Sequence, residues 1–247
     1  MNLSSRNLKL IIGVFYLLIL FFGLYYLFTL IDIRDLTSYE FIRSNKEIII
    51  DYKNNNFLFL TIIFFLFSIV WYLFLGFGAP ILLFSGFVFG KWYGILIAVV
   101  SATIGTTLLY LLAKLFFAEL IKEKLEPKFS SLKLAFQKNE LLYFTLYRLG
   151  GGGGIPYGIQ NVLPVLFNIS IKNYFLGTFI GSWPLMFISV ALGAGIEKYI
   201  EANEKLSLIN IILSPDIYLP ILGFILMLLV GLVIKKLFFK KNQNEKF

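Results

Sequence analysis

Cysteine and histidine are both missing from this 247-residue chain. Without thiols there can be no disulfide, thiolate metal site or thiol nucleophile. Without imidazole there is no Ser-His or Cys-His catalysis and no imidazole proton relay. Charge is scarce too: Asp, Glu, Lys and Arg make up 15% of the residues, against about a quarter in an ordinary soluble domain. A carboxylate metal site needs clustered Asp and Glu, and the apolar stretches hold almost none. An intramembrane enzyme acting on a lipid phosphate would need a nucleophile, a base or a metal near the headgroup, and these absences leave it none. The expectation is a non-enzyme without cofactor or metal.

What the chain has instead is grease. It is 59% hydrophobic and 18% aromatic, with 28 Phe, more than a soluble fold of this size could hide. Lipid must therefore be part of its solvent, and a multi-pass protein of the plasma (inner) membrane is expected. The formal net charge of +8 suits anionic lipid headgroups rather than nucleic acid, given these apolar runs. The first apolar segment is too long for a removable signal peptide and lacks a small-residue cleavage site.

Runs of about 18 or more apolar residues are candidates to span a bilayer. Residues 10–31, 57–75, 92–112 and 217–239 qualify, and 174–196 makes a fifth despite Pro184. Two further stretches fit no simple span. One, GFGAPILLFSGFVFG, is short and punctuated by Gly78, Pro80, Gly86 and Gly90; the other is broken by Gly150, Gly151, Gly152, Gly153, Gly154, Pro156 and Pro164. Non-helical backbone at membrane depth persists only where protein or a water-filled cavity covers it. Both stretches therefore read as re-entrant helical hairpins, near 76–91 and 141–170.

The expected fold is all-α and polytopic, with about five transmembrane helices plus these two hairpins in inverted arrangement. Residues 1–56 would hold an N-terminal transmembrane helix and an interfacial segment, 57–200 the hairpin-bearing membrane domain, and 201–247 a last helix and basic tail. Counting Lys and Arg alone puts the tail and 119–140 in the cytoplasm and 197–216 outside. The hairpins then enter from opposite faces, as in many secondary transporters. The same count carries the N-terminus outside, against Arg6 and Lys9.

Arg148 is the residue that most needs a partner. A charge at membrane depth costs about 2.5 kcal/mol or more and usually faces a cavity or a partner. Between residues 141 and 196 there is no Asp or Glu, and from 57 to 117 the only charges are Lys91 and Lys114. Phosphate suits an unpaired guanidinium because the planar fork donates two parallel hydrogen bonds. Snorkelling to an interface is the plain alternative. The five glycines beside it can expose amide groups on an adaptable backbone and so cradle an anion, or can simply make a flexible turn. Lys91 is a candidate headgroup contact, although with Trp92 and Tyr93 it also looks like an interfacial anchor. Gly177 and Gly181 form a small-residue face for close helix packing.

The stretches SGFVFGKWYGILIAVVSATIGTTLLYLLAK and RL…IPYGIQNVLP…ISIKNYFLGTFIGSWP resemble the DedA superfamily, also called VTT-domain or SNARE-associated Golgi proteins. Arg148, Pro156, Asn161, Tyr174, Gly177, Thr178, Gly181 and Pro184 match the family pattern in order and spacing, within a resemblance that covers about residues 74–196. It implies two re-entrant hairpins meeting near the membrane centre and a protein that moves membrane lipid, a polyprenyl phosphate carrier or a phospholipid. The implied partners are anionic or phosphate-bearing lipids, held by Arg148, Gly150–Gly154, Pro156, Asn161 and Lys91. Pro80, Gly86, Gly90, Gly177, Gly181 and Pro184 would be structural. Self-association stays open. The sequence departs from the family in the glycine run, in Val165, and in the lack of an acidic residue in the first hairpin. The last departure points to movement without proton coupling. A small-anion transporter and a non-catalytic membrane scaffold are the alternatives.

Overall fold

The structure, a computed structural model, describes residues 46–74 and 78–201 continuously, with scattered positions in 11–29, at 44 and in 209–226. Those residues are helical throughout, with no strand. The expected spans at 10–31 and 217–239 fall largely outside them, as does the basic tail; the positions described within 11–29 and 217–226 are helical.

The main elements are α1 (Lys46–Asn55), α2 (Phe57–Leu73), α3 (Gly78–Phe116), α4 (Ala118–Lys138), α5 (Glu140–Leu149), α6 (Tyr157–Val162), α7 (Ile171–Gly181) and α8 (Trp183–Glu201). Among the described residues, α3 is the helix long and apolar enough to cross a membrane. A second crossing exists if α7 and α8, bent by 46° at their junction, are taken as one span.

α3 is not straight. Gly90 has φ 73 and ψ 174, a conformation that L side chains rarely adopt, and it splits α3 into arms 78–89 and 91–116. The arms fold back on each other, with the Ser85 hydroxyl donating to the Gly94 carbonyl at 2.9 Å. The longer arm runs beside α2 in the same direction, Phe57 against Tyr93 at one end and Gly105 against the Ile69 carbonyl near the other. The shorter arm runs against α2, with Phe84 stacked on Phe64 and Phe89 tilted against it.

This arrangement gives the first helical hairpin two packed arms. Its arms are α2 and 78–89, and the chain reverses between Leu73 and Gly78. Within the expected span 57–75, α2 is an apolar helix of 17 residues that packs against the helix that follows. Gly86 lies inside the second arm, not at a break. A Cβ there would fall 1.8 Å from the Val190 carbonyl oxygen, so hydrogen is the only side chain that lets α8 approach. Pro80 and Pro184 sit in the first turns of α3 and α8, where a missing N–H costs nothing.

The second hairpin is built from α5, the glycine turn and α6. Its two ends meet at Glu140, whose Oε2 accepts from the Ser170 amide at 3.1 Å and the Asn173 side chain at 2.8 Å. The Ser170 amide, above all, holds the Glu140 carboxyl below its usual 4.5. From Asn173 onward α7 runs parallel to α5, Gly177 facing Phe144 and Gly181 facing Arg148 and Thr145.

The two hairpins open at opposite ends. Tyr110 stacks on Tyr174 at 4.3 Å and donates to the Ile169 carbonyl at 2.5 Å, which places the mouth of the second hairpin beside the far end of α3. Lys91, at the mouth of the first, is 19 residues earlier on the same helix, about 28 Å away at 1.5 Å per residue. Lys53 of α1 forms an ion pair with Glu197 near the end of α8. The α1 segment and the start of 197–216 therefore share one end, where the basic-residue count had put them on opposite faces.

Candidate functional site

The tips of the hairpins converge. The Tyr72 and Tyr157 rings lie 6.2 Å apart, one from the end of α2 and one from the start of α6. Around this junction the structure gathers buried polar groups that apolar helices would otherwise exclude.

Arg148 lies in the last turn of α5, facing inward with Phe144 one turn earlier, while Leu142 and Leu146 face out. Only 6% of it is exposed. Its Nη2 donates to the Tyr174 hydroxyl at 2.7 Å. Its guanidinium carbon sits 5.1 Å from the Phe144 ring centre and 5.3 Å from that of Tyr174. No carboxylate pairs with it among the described residues, and its Nε has no hydrogen-bond partner. The positive charge is thus held by one hydroxyl and two ring faces, and the buried Nε donor is left unmatched.

Tyr174 passes the contact on, its hydroxyl donating to the Asn161 backbone carbonyl at 3.1 Å. Asn161 is fully buried. Its Nδ2 donates to the Tyr157 carbonyl at 3.1 Å, whereas its Oδ1 has no partner. Three hydroxyls in the same bundle are also buried and unmatched: Ser68 and Tyr72 on one face of α2, and Thr178 one turn beyond Tyr174. Native interiors rarely leave such groups without partners, so each one calls for an explanation.

The glycine run forms the tip of the second hairpin. Gly150 ends α5, and residues 151–154 form a short 3₁₀ turn with Gly151 at φ 60 and Gly152 at φ 69. The bonds of this turn use carbonyl oxygens: Gly151 accepts from Gln160 Nε2 at 2.8 Å, and Gly152 accepts from the Ile155 amide at 3.4 Å. Gln160 also reaches the Ile155 carbonyl, which pins the returning arm to the turn. Glycine is needed here because two successive residues have positive φ. Pro156, exposed, caps the six-residue α6.

Of the expected contact residues, Arg148 and Asn161 are brought together, with one hydroxyl between them. The glycines and Pro156 form the tip beside them. Lys91 is elsewhere: it is 19 residues along α3 from Tyr110, which stacks on Tyr174, about 28 Å, with its ammonium over the Trp92 ring at 5.8 Å. That contact is the one expected of an interfacial anchor. Tyr72, Tyr157 and Gln160 were not singled out from the sequence, and Tyr174 and Thr178 only as parts of a pattern. A lone Tyr among 14 carries no mark of its partner.

Residues 76–195 match the family model described as the VTT domain. The matched segment takes in both arms of α3, the second hairpin, α7 and most of α8, hence every residue of the Arg148 cluster except those of α2. No solved structure matches this chain.

Proposed function

We propose that this chain, which carries the VTT domain that defines the DedA and SNARE-associated Golgi family, is a membrane lipid translocase. It would move the headgroup of a phospholipid or polyprenyl phosphate between leaflets of the plasma membrane while the acyl chains stay in the bilayer. The observation that carries the reading is Arg148: buried at the hairpin junction, without a carboxylate, and with Nε unmatched. A guanidinium costs too much at that depth to be kept for packing alone, and an anionic oxygen is what its spare donor fits.

In this reading the hairpins are re-entrant, α2 with 78–89 from the outer face and α5 with α6 from the cytoplasmic face. Headgroup passage parts the tips at Tyr72 and Tyr157, and the positive-φ glycine turn gives the second tip a backbone that can move. With α2 as a hairpin arm, the segment before it lies outside with Glu197. One crossing at 10–31 then returns the N-terminus to the cytoplasm, where Arg6 and Lys9 fit the positive-inside rule. Among the described residues no carboxylate stands near the Arg148 cluster to carry a proton, which supports downhill movement.

The test is headgroup movement in proteoliposomes with a panel of labelled lipid phosphates. Movement of at least one lipid above empty vesicles is expected, and none for any lipid sinks the reading. The near-complete burial of Arg148 and Asn161 favours one other candidate, a carrier for a small soluble anion. Uptake of inorganic phosphate with no lipid movement would establish that instead.

A further inference from the structure

The unmatched groups at the hairpin junction are not all donors, and this restricts what can bind. A phosphate whose oxygens are all acceptors satisfies Arg148 Nε. It cannot satisfy Asn161 Oδ1, a buried acceptor on the residue whose backbone carbonyl accepts from the Tyr174 hydroxyl. Turning the amide over does not help. The Tyr157 carbonyl accepts from Nδ2, and exchanging the two ends would set oxygen against oxygen. The orientation is held, so beside the unmatched hydroxyls of Ser68, Tyr72 and Thr178 the junction keeps the Arg148 Nε donor and the Asn161 Oδ1 acceptor.

We propose that Asn161 determines specificity: the headgroup taken at the junction carries its own N–H or O–H donor next to its anionic oxygen. The anionic oxygen meets Arg148 Nε, and the donor meets Asn161 Oδ1. Two kinds of headgroup share this chemistry. One is a phosphodiester bearing an amine or hydroxyl. The other is a phosphomonoester in its monoanionic form, whose P–O–H is the donor below its second pKa of about 6. A diester ending in a quaternary ammonium lacks a donor and leaves Oδ1 buried and unpaired. The inference rests on the lipid-translocase reading for its ligand, though not for its logic.

The experiment compares two lipids differing by one methyl group, phosphatidyl-N,N-dimethylethanolamine, with one N–H, and phosphatidylcholine, with none. Movement is followed in proteoliposomes, and binding by the thermal shift that short-chain forms of each lipid give the detergent-solubilised full chain. The dimethyl lipid should move about tenfold faster, equivalent to about 1.4 kcal/mol, within the cost of leaving a buried polar group unpaired. It should also give the larger thermal shift. In Asn161→Leu the two lipids should become equal. A phosphomonoester lipid should move faster as pH falls from 8 to 5.5 in the wild type, but not in the variant. Equal rates and shifts for the two lipids in the wild type overturn the proposal, as does discrimination that survives in Asn161→Leu. If that variant fails to fold, the wild-type comparison still decides. If no lipid moves but the shifts differ as stated, the specificity stands and the translocase reading fails. If neither lipid moves or binds, both fall.

Discussion

Replacing Arg148 by methionine should separate stability from transport. Methionine fills much of the same volume, so little cavity is left and the change removes mainly charge and hydrogen-bonding capacity. On the losing side are one charge-assisted bond to Tyr174, about 1.5–3 kcal/mol, and the contacts with two ring faces, about 0.5–2 kcal/mol. On the gaining side are relief from burying a guanidinium, several kcal/mol, and removal of the unmatched Nε, about 1–3 kcal/mol. The Tyr174 hydroxyl is not orphaned, since it still donates to the Asn161 carbonyl. The terms nearly cancel, and exchanging a buried charge for an apolar side chain of similar volume is often neutral or stabilising. Unfolding free energy in detergent should therefore change by less than about 2 kcal/mol. Transport, measured on the same preparation in proteoliposomes, should fall at least 100-fold, about 2.7 kcal/mol of barrier. Arg148→Lys should recover a minor part, because an ammonium on a flexible stem can meet either Tyr174 or the headgroup, whereas the planar fork meets both. The reasoning is refuted if Arg148→Met transports at the wild-type rate. It is equally refuted if the variant loses more than about 4 kcal/mol and transport falls only with the folded fraction, since Arg148 would then be structural.

Three further outcomes test the frame around the site. In this cysteine-free chain, Asn54→Cys and Ser207→Cys should both react with an impermeant thiol reagent from outside and Ser130→Cys should not; opposite sides for 54 and 207 would contradict the topology drawn from the Lys53–Glu197 pair. Gly86→Ala should cost about 3 kcal/mol of stability by driving a methyl group into the Val190 carbonyl, and a melting temperature within a degree of wild type would show that α8 does not pack there. Glu140 has a folded pKa held below 4.5 by the Ser170 amide, so its stabilisation of the hairpin mouth is complete above that pH and is lost as pH falls through the folded value. Glu140→Gln should remove that acid-side loss in melts between pH 6 and 3, and an unchanged profile would assign the loss to another carboxylate.

The sequence revealed the second hairpin better than the first, and the reason lies in what glycine can mean. In 150–156 five glycines and a proline leave no helix to compete, so the break could be read directly. Around the first hairpin the same residue does different jobs. Gly90 turns the chain with φ 73, while Gly86 only lets α8 come close. Composition does not distinguish a turning glycine from a packing one, and the apolar run 57–75 is long enough to pass for a span. The break was therefore sought among the glycines, when the chain had already reversed before Gly78.

The partner of Arg148 was missed for a related reason. The sequence offers Arg148 no opposite charge between 141 and 196, which points outside the chain for the whole partner. The structure supplies part of it from within, through the Tyr174 hydroxyl and two aromatic faces, none of which carries charge in sequence. What remains for a ligand is more specific than a bare countercharge: the Arg148 Nε donor, and the Oδ1 acceptor of Asn161, whose backbone carbonyl accepts from the Tyr174 hydroxyl. That pairing is invisible in sequence because Arg148 and Asn161 lie on opposite arms of the hairpin, and only the return of the chain after the glycine turn sets them together. The glycine run thus contributes to the site by where it sends the chain.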